Sequence, residues 1–390
     1  MTCPPLHRPT LLPGLYRTWR GARTLQLGLR PGTAVLIDLP QRETARLLDL
    51  LDGSRSERDI LRRAATVGVP PSDARALLDS LHQAGLVVPA QSLYPSPSAA
   101  VHLSGEALTL ALPPSPPPVA PGAVTGPSAH PATGSESRPP GTYASGPSLH
   151  VSQPAAALRK RRGARITVAG RGRLAAGIAV ALAESGVGHV HPDLPGTVGR
   201  QDRLASPLRD SDLGRPRAQA VTEAVLRAVP GTETRSIRRG GASLVVQLDH
   251  DQPVPLLAAA YAQRRQPHLK VAIREATPVI GPLVPASGGP CLHCLDLHRQ
   301  ERDPHADRPQ PPPRDDEPCA VATVLAGTAY AVAEVLAFVD GRTPETLAAE
   351  VEVSAPGRVR RRSWVPHPDC SCMRRSRRTR SGPDQALGAA

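Results

Sequence analysis

Four cysteines of the chain fall into two close pairs. Cys291 and Cys294 form a Cys-x-x-Cys, Cys370 and Cys372 form a Cys-x-Cys, and 75 residues lie between them. Two chelating thiolate pairs on tight turns close a tetrahedral site for one structural Zn²⁺ with no open coordination position. Gly288-Gly289-Pro290 supplies such a turn ahead of the first pair. Two other readings stay open: unrelated reduced thiols, or a redox Cys-x-x-Cys. The latter would want a helix N-terminus in a thioredoxin-like unit, and none is visible.

A second chemistry-bearing stretch is Gly170-Arg171-Gly172-Arg173-Leu174-Ala175. It follows an apolar run, Arg165–Ala169, and opens a helical pattern over Leu174–Glu184. In that setting a glycine turn aims backbone N–H groups at phosphates; the plainer reading is a bare tight turn. Cys319 stands just before a long Ala-rich helical pattern, where it is either a sulfur nucleophile or a small residue at a loop–helix junction.

The elements that must carry these residues alternate over 164–372. Strands are predicted at Arg165–Ala169, His189–Asp193, Ser243–Leu248 and Leu269–Ile273. Helices are predicted at Leu174–Glu184, Ala218–Ala228, Leu256–Arg264 and Ala320–Val339. That alternation predicts a Rossmann-like, doubly wound α/β domain, interrupted by a Pro-rich polar loop at 304–318. Residues 15–90 pattern as a small α+β domain. A hairpin pairs Thr24–Leu29 with Ala34–Leu39 across Arg30-Pro31-Gly32. Three helices follow: Glu43–Leu51, one capped by Ser56, and one capped by Ser72 that ends at Gly85. Leu86–Val88 closes the unit as a strand, which together reads as a winged helix. Between the domains, 91–163 is rich in Pro, Ser, Gly and Ala and reads as a disordered linker. Residues 373–390 read as a basic disordered tail.

Composition narrows the classes further. Of 390 residues, 46 are Pro and 33 Gly, with 1 Phe, 2 Trp and 5 Tyr, which fits unstructured chain beside folded parts. No run of 18 apolar residues argues for a membrane span, and Met1-Thr2-Cys3-Pro4-Pro5 is no secretory signal. A cytoplasmic setting follows, and clustered cysteines there read as metal ligands. The net charge of +13 traces to two runs: five basic residues within 159–165, and nine arginines against Asp369 within 358–380. These are expected to be solvated arms rather than a nucleic-acid-binding face.

Together the motifs give a family. The α/β domain resembles the ThiF, MoeB and ubiquitin-activating-enzyme-like adenylyltransferases. The resemblance rests on Gly170-x-Gly172-x-x-Ala175, Asp193, Arg200-Gln201, the segment Asp212-Leu213-Gly214-Arg215-Pro216-Arg217-Ala218, and the two Cys pairs. The phrase Gly289-Pro290-Cys291-Leu292-His293-Cys294-Leu295 is especially similar. It implies a nucleotide site at Gly170, Gly172, Asp193, Arg200, Gln201 and Arg217, ATP with Mg²⁺, and frequent homodimers. It also implies catalytic candidates at Asp249 and Asp251, with Cys319 as a sulfur carrier in some members. This sequence departs from the pattern in several places. An expected acid reads His191, the Asn-Leu before Arg200 is missing, the phosphate-contacting lysine is Arg217, and the Asp-Asn pair is only echoed by Asp249-His250-Asp251-Gln252. Those changes read as eroded ATP chemistry.

The third helix of the N-terminal unit carries Asp73, Arg75 and Asp79, so it lacks the positive charge of a groove-reading helix. The unit resembles instead the PqqD-like peptide-recognition element, in which a leader peptide adds a strand to the hairpin edge. Apolar candidates for that contact are Leu27, Leu29, Val35, Ile37, Leu77 and Leu81. The combination resembles the leader-binding partner of YcaO-type azoline cyclodehydratases, and implies a precursor peptide and a YcaO-like protein as partners. The alternatives are an active adenylyltransferase that activates a C-terminal carboxylate, and a winged-helix DNA binder.

Overall fold

The computed structural model describes residues 6–29, 34–96, 99–111, 144–145, 154–238, 240–302 and 317–372. The expected loop at 304–318, except its last two residues, and the tail at 373–390 lie outside them. The chain divides into two units, 1–159 and 160–390.

The first unit begins with β1 (Pro9–Leu11), β2 (Arg17–Trp19), β3 (Thr24–Leu27) and β4 (Val35–Asp38). The β3–β4 hairpin is antiparallel, with Leu25 opposite Ile37 and Leu27 opposite Val35. Because side chains alternate across a strand, these four share one face, and all are buried. The next segment, Arg42–Leu50, is a 3-10 helix rather than the expected α-helix. In α1 (Glu57–Thr66), Ser56 caps as expected, its side chain accepting from the Asp59 N–H. α2 (Pro71–Gln83) starts one residue before the expected Ser72 cap. Pro71 has no N–H to satisfy in the first turn and its fixed φ favours helix entry. The closing strand β5 (Val87–Pro89) does not join the hairpin; it pairs with β1.

Three elements occupy the stretch expected to be linker: α3 (Ala90–Leu93), α4 (Ala99–Ala111) and the two-residue β6 (Ala144–Ser145). β6 completes a four-stranded sheet of order β2-β3-β4-β6. α5 (Pro154–Gly163) then corrects both the linker and the first basic run. Arg161 is not a solvated arm: its side chain is buried, and Nε and Nη2 donate to the two Asp340 oxygens at 2.9 and 2.8 Å. The apolar spacing of α5 is short and its charge conspicuous, so composition alone concealed it.

The second unit carries β7 (Arg165–Ala169), α6 (Ala175–Glu184), β8 (His189–Asp193), α7 (Arg217–Ala228), β9 (Leu244–Gln247), α8 (Val254–Arg264), β10 (His268–Arg274), β11 (Thr277–Val284), α9 (Leu292–Arg302), α10 (Val321–Asp340), β12 (Ala349–Ala355) and β13 (Arg358–Ser363). These strands form one seven-stranded mixed sheet of order β13-β12-β11-β10-β9-β7-β8. The expected parallel, doubly wound half is present: β8, β7, β9 and β10 run parallel. The other half is antiparallel, so the sheet is mixed, as a Rossmann-like domain allows. β10 turns into β11 through Glu275-Ala276, both with left-handed φ (+47° and +63°), a turn that Asn-Gly would have advertised. Part of the second basic run also lies in a folded element: Arg358, Arg360, Arg361 and Arg362 belong to the edge strand β13, where they stay largely exposed as expected. Charged edges discourage pairing with other chains. The absence of an 18-residue apolar run does not exclude α10, which is long and apolar enough to cross a membrane and is half buried here.

Successive connections from β7 leave in opposite directions, to β8 on one side and through β8 to β9 on the other. The crevice outside the carboxyl end of β7 is therefore the topological switch point of the sheet, where ligands of open α/β sheets bind. The Gly170 turn lies there.

Candidate functional site

Gly170 follows β7 with a left-handed φ of +101°, and a Cβ there would collide with the Asp249 carbonyl. Its N–H donates to the Asp193 carbonyl at 3.0 Å. Arg171 and Asp249 exchange backbone hydrogen bonds of 2.8 and 3.0 Å. The turn is thereby pinned between the ends of β8 and β9. Gly172 sits beside Leu248 and the Glu317 carboxylate.

Four cations and four acids gather around this turn. Arg171 forms an ion pair with Asp251. Lys270, from β10, donates from Nζ to Asp249 Oδ1 at 3.0 Å and to the Leu248 carbonyl at 2.9 Å. Burial lowers the Lys270 pKa, with Asp249 opposing the shift. Arg217, the first residue of α7, donates to Asp202 Oδ2 at 2.9 Å and to the Pro195 carbonyl at 3.1 Å. Arg173 is buried, and its Nη1 donates to the Cys319 carbonyl at 2.9 Å. Arg173 Nε and Nη2, and Arg217 Nε, are buried with no hydrogen-bond partner among the described residues. The Glu317 carboxylate accepts the Arg173 backbone N–H at 2.7 Å, just ahead of α6. A helix N-terminus favours negative charge, so a carboxylate of the chain itself stands where an anionic ligand would be held. Burial pushes the Glu317 carboxyl up, and Asp249 and Asp202 add to the shift.

Of the residues singled out in the sequence, Gly170, Gly172, Arg217, Asp249 and Asp251 converge here. Asp193 contributes its carbonyl while its side chain is exposed, Arg200 is exposed, and Gln201 is half-buried at the start of a short 3-10 turn. Cys319 donates its thiol to the Ala276 carbonyl at 3.0 Å, and burial pushes it up, away from the thiolate form. Lys270, Asp202 and Glu317 were not anticipated. A lone lysine within the apolar run Leu269–Ile273 was a usable signal for the first; nothing in the sequence marks the other two.

The four cysteines converge as expected. All their sulfurs lie within 4.8 Å of one another, with Cys291–Cys294 at 3.7 Å, Cys291–Cys370 at 3.5 Å and Cys294–Cys372 at 3.3 Å. A tetrahedron with Zn–S bonds of about 2.3 Å has edges of roughly 3.8 Å, so this donor set fits a Cys₄ ion. Thiol hydrogen bonds from Cys291 and Cys372 push Cys294 down, while its bond to Cys294 pushes Cys291 up to about 12. Such a mutually hydrogen-bonded thiol and thiolate set is what a cation would replace.

Beside it, His298, Glu301 and His367 also face one another. His298 Nε2 bonds the Val365 carbonyl at 3.0 Å, and His367 Nδ1 accepts the Asp369 N–H at 3.2 Å. His367 Nε2 lies 2.8 Å from a Glu301 oxygen but makes no hydrogen bond to it. The Nδ1 lone pair is already engaged by the Asp369 N–H, so only Nε2 could face a metal.

In the first unit burial separates the six candidate peptide contacts. Leu27, Val35, Ile37, Leu77 and Leu81 are all fully buried in one core cluster, because they lie on the sheet and helix faces that pack together. Leu29 alone is exposed, at 55 %, and Leu36, on the opposite face of β4, is exposed at 40 %. Nor is the hairpin edge bare: β6 pairs antiparallel with β4, Ser145 opposite Leu36 and Ala144 opposite Ile37.

No family model matches this sequence, and no curated protein matches it. Solved structures do. The crystal structure of E. coli MccB with ATP is 13 % identical with a TM-score of 0.54, and the match covers 93 % of this chain and 99 % of that one. The microcin C7 biosynthetic enzyme MccB in complex with N-formylated MccA is 13 % identical with a TM-score of 0.53 and the same coverage. E. coli MccB with AMPCPP and MccA matches equally well. At this identity the likeness shows a shared fold.

Proposed function

We propose that this chain captures an extended precursor peptide on its N-terminal unit and presents it to an enzyme of the YcaO cyclodehydratase type, with the second unit serving as a scaffold of adenylyltransferase fold. Two lines support peptide handling. The β4 edge accepts an extended segment alongside α2, which is the geometry of strand addition. The fold is shared, over nearly the whole chain, with a protein solved in complex with the peptide MccA.

The observation that carries the scaffold role is the charge pairing at the switch point. Arg171, Arg217 and Lys270 are each held by an acid of the same chain, and Glu317 fills the anion position at α6. In an adenylyltransferase, cations hold the triphosphate and a free carboxylate positions Mg²⁺. Here Asp249 is held by Lys270 instead. Four cysteines, Cys291, Cys294, Cys370 and Cys372, would hold a structural Zn²⁺ and fix the run after β13 against α9.

A second reading, an adenylyltransferase that activates a peptide carboxylate with ATP and Mg²⁺, is favoured by one feature. The unpartnered N–H groups of Arg173 and Arg217 are donors that phosphate oxygens would satisfy. ATP–pyrophosphate exchange separates the two. The proposal expects none with any peptide encoded beside this gene, together with micromolar or tighter binding of that peptide. Exchange that is abolished by Arg217→Ala would establish the enzyme reading in its place. Titration with duplex DNA addresses the remaining alternative, and only steeply salt-dependent binding would support it.

A further inference from the structure

The strand on the β4 edge belongs to the chain itself. β6 is two residues long, Ala144–Ser145, and is drawn from the Pro-, Ser- and Gly-rich stretch between the two units. It pairs antiparallel with β4 and runs alongside α2, so it takes the place where an added strand would pair and be covered by a helix. In sequence it is followed directly by Gly146-Pro147, and a proline cannot donate to a ladder.

We infer that Ala144–Ser145 is a built-in occupant of the β4 edge, displaced when an extended peptide binds. Two ladder residues make a weak contact, since each net hydrogen bond contributes little. Tethering compensates, because a linked segment is present at an effective concentration on the order of millimolar. A longer strand with apolar side chains that reach Leu29 and Leu36 outcompetes it; a casual partner does not. The occupant also covers an edge that would otherwise invite pairing between chains. Its functional meaning rests on reading β4 as the capture edge; its existence does not.

The test is hydrogen exchange on the full chain. Ala144→Pro with Ser145→Pro removes the ladder N–H whichever residue donates it. In the double variant the amide exchange of the Leu36–Asp38 segment should accelerate about tenfold or more, while the Leu25–Leu27 amides, bonded within the hairpin, keep their protection. A synthetic nonapeptide of residues 141–149, added at millimolar concentration, should restore protection in the variant and leave the wild type unchanged. Equal β4 exchange in wild type and variant would overturn the inference. In a separate arm, the neighbouring-gene peptide should bind the variant about tenfold more tightly than the wild type, the factor by which a nine-tenths-occupied edge lowers apparent affinity. Accelerated β4 exchange without any binding of that peptide leaves the built-in occupant in place and removes the capture reading alone.

Discussion

Replacing Cys370 and Cys372 by serine removes half of the Cys₄ donor set. Small Cys sites bind Zn²⁺ with about 10–16 kcal/mol, as much as the whole stability of an average domain, about 5–15 kcal/mol. The structure limits how far that loss spreads. Cys291, Cys294 and Cys370 sit in a satellite cluster with Leu257, Tyr261, Leu292, Leu295 and Trp364, apart from the main core under the sheet. Those five large side chains contribute roughly 8–15 kcal/mol gross at about 1.5–3 kcal/mol each, most of it offset by the entropy of ordering the run. A net loss of about 3–5 kcal/mol follows, or roughly 6–20 °C in melting temperature for a unit of this size. Trp364 is a local reporter: it is buried, and its indole N–H donates to Glu350 Oε2 at 3.1 Å. With Trp19→Phe as background, Trp364 emission should shift to the red in the double serine variant. Elemental analysis should fall from one zinc per chain to none. Zinc content still near one, or unchanged emission and melting, would refute the reasoning.

Three further outcomes are expected. Arg161→Leu leaves the buried Asp340 carboxylate with only the longer Arg342 contact at 3.4 Å and should cost about 3–5 kcal/mol in denaturant titration, with Arg161→Leu/Asp340→Leu recovering most of it; equal losses would mean the pair is not the cause. Gly170→Ala must place a Cβ against the Asp249 carbonyl at left-handed φ, costing about 2 kcal/mol or more, read by the same titration. Glu317 is held above its usual 4.5 by burial, so the folded chain binds that proton more tightly than the unfolded chain. Its stabilising contribution is full below pH 4.5 and is lost as pH rises through the folded value; Glu317→Gln should flatten that limb of the stability–pH curve, and an unchanged curve would count against a buried carboxyl there.

The parallel half of the sheet was legible because strand and helix periods alternate cleanly from Arg165 to Ile273. The antiparallel half was not, for different reasons at each strand. β11 follows a turn made by Glu275-Ala276, which carries none of the usual turn residues. β13 reads as a basic run, although Pro356-Gly357 between Val351–Ala355 and Arg358–Arg362 is a hairpin signal that charge obscured. The cysteine site was legible from spacing alone, since chelation fixes which pairs can meet. The peptide edge was half legible. Alternation identified the hairpin, but the inward face of its strands goes to the core, so Leu27, Val35 and Ile37 are buried while Leu29 and Leu36 are exposed. Nothing local could have announced that Ala144–Ser145, more than a hundred residues on, would pair with it.

Charge matching connects the two units' roles. A cleft that binds a polyanion keeps cations in excess, because each buried cation without a partner is costly until the ligand arrives. At the switch point three of the four cations are paired from within: Asp251 answers Arg171, Asp202 answers Arg217 and Asp249 answers Lys270, while Glu317 stands at the helix N-terminus and the Arg173 side chain meets backbone carbonyls alone. A triphosphate drawing on these cations would compete with three ion pairs and with the Glu317 carboxylate. The same logic holds at the β4 edge, where a short segment of the chain satisfies backbone groups that a peptide would otherwise satisfy. The two self-occupied sites differ in what displacement requires. Two ladder residues give way to a longer strand more readily than three ion pairs and a carboxylate around a pinned glycine turn give way to a triphosphate. On the proposed reading, exchangeable binding belongs to the first unit and architecture to the second.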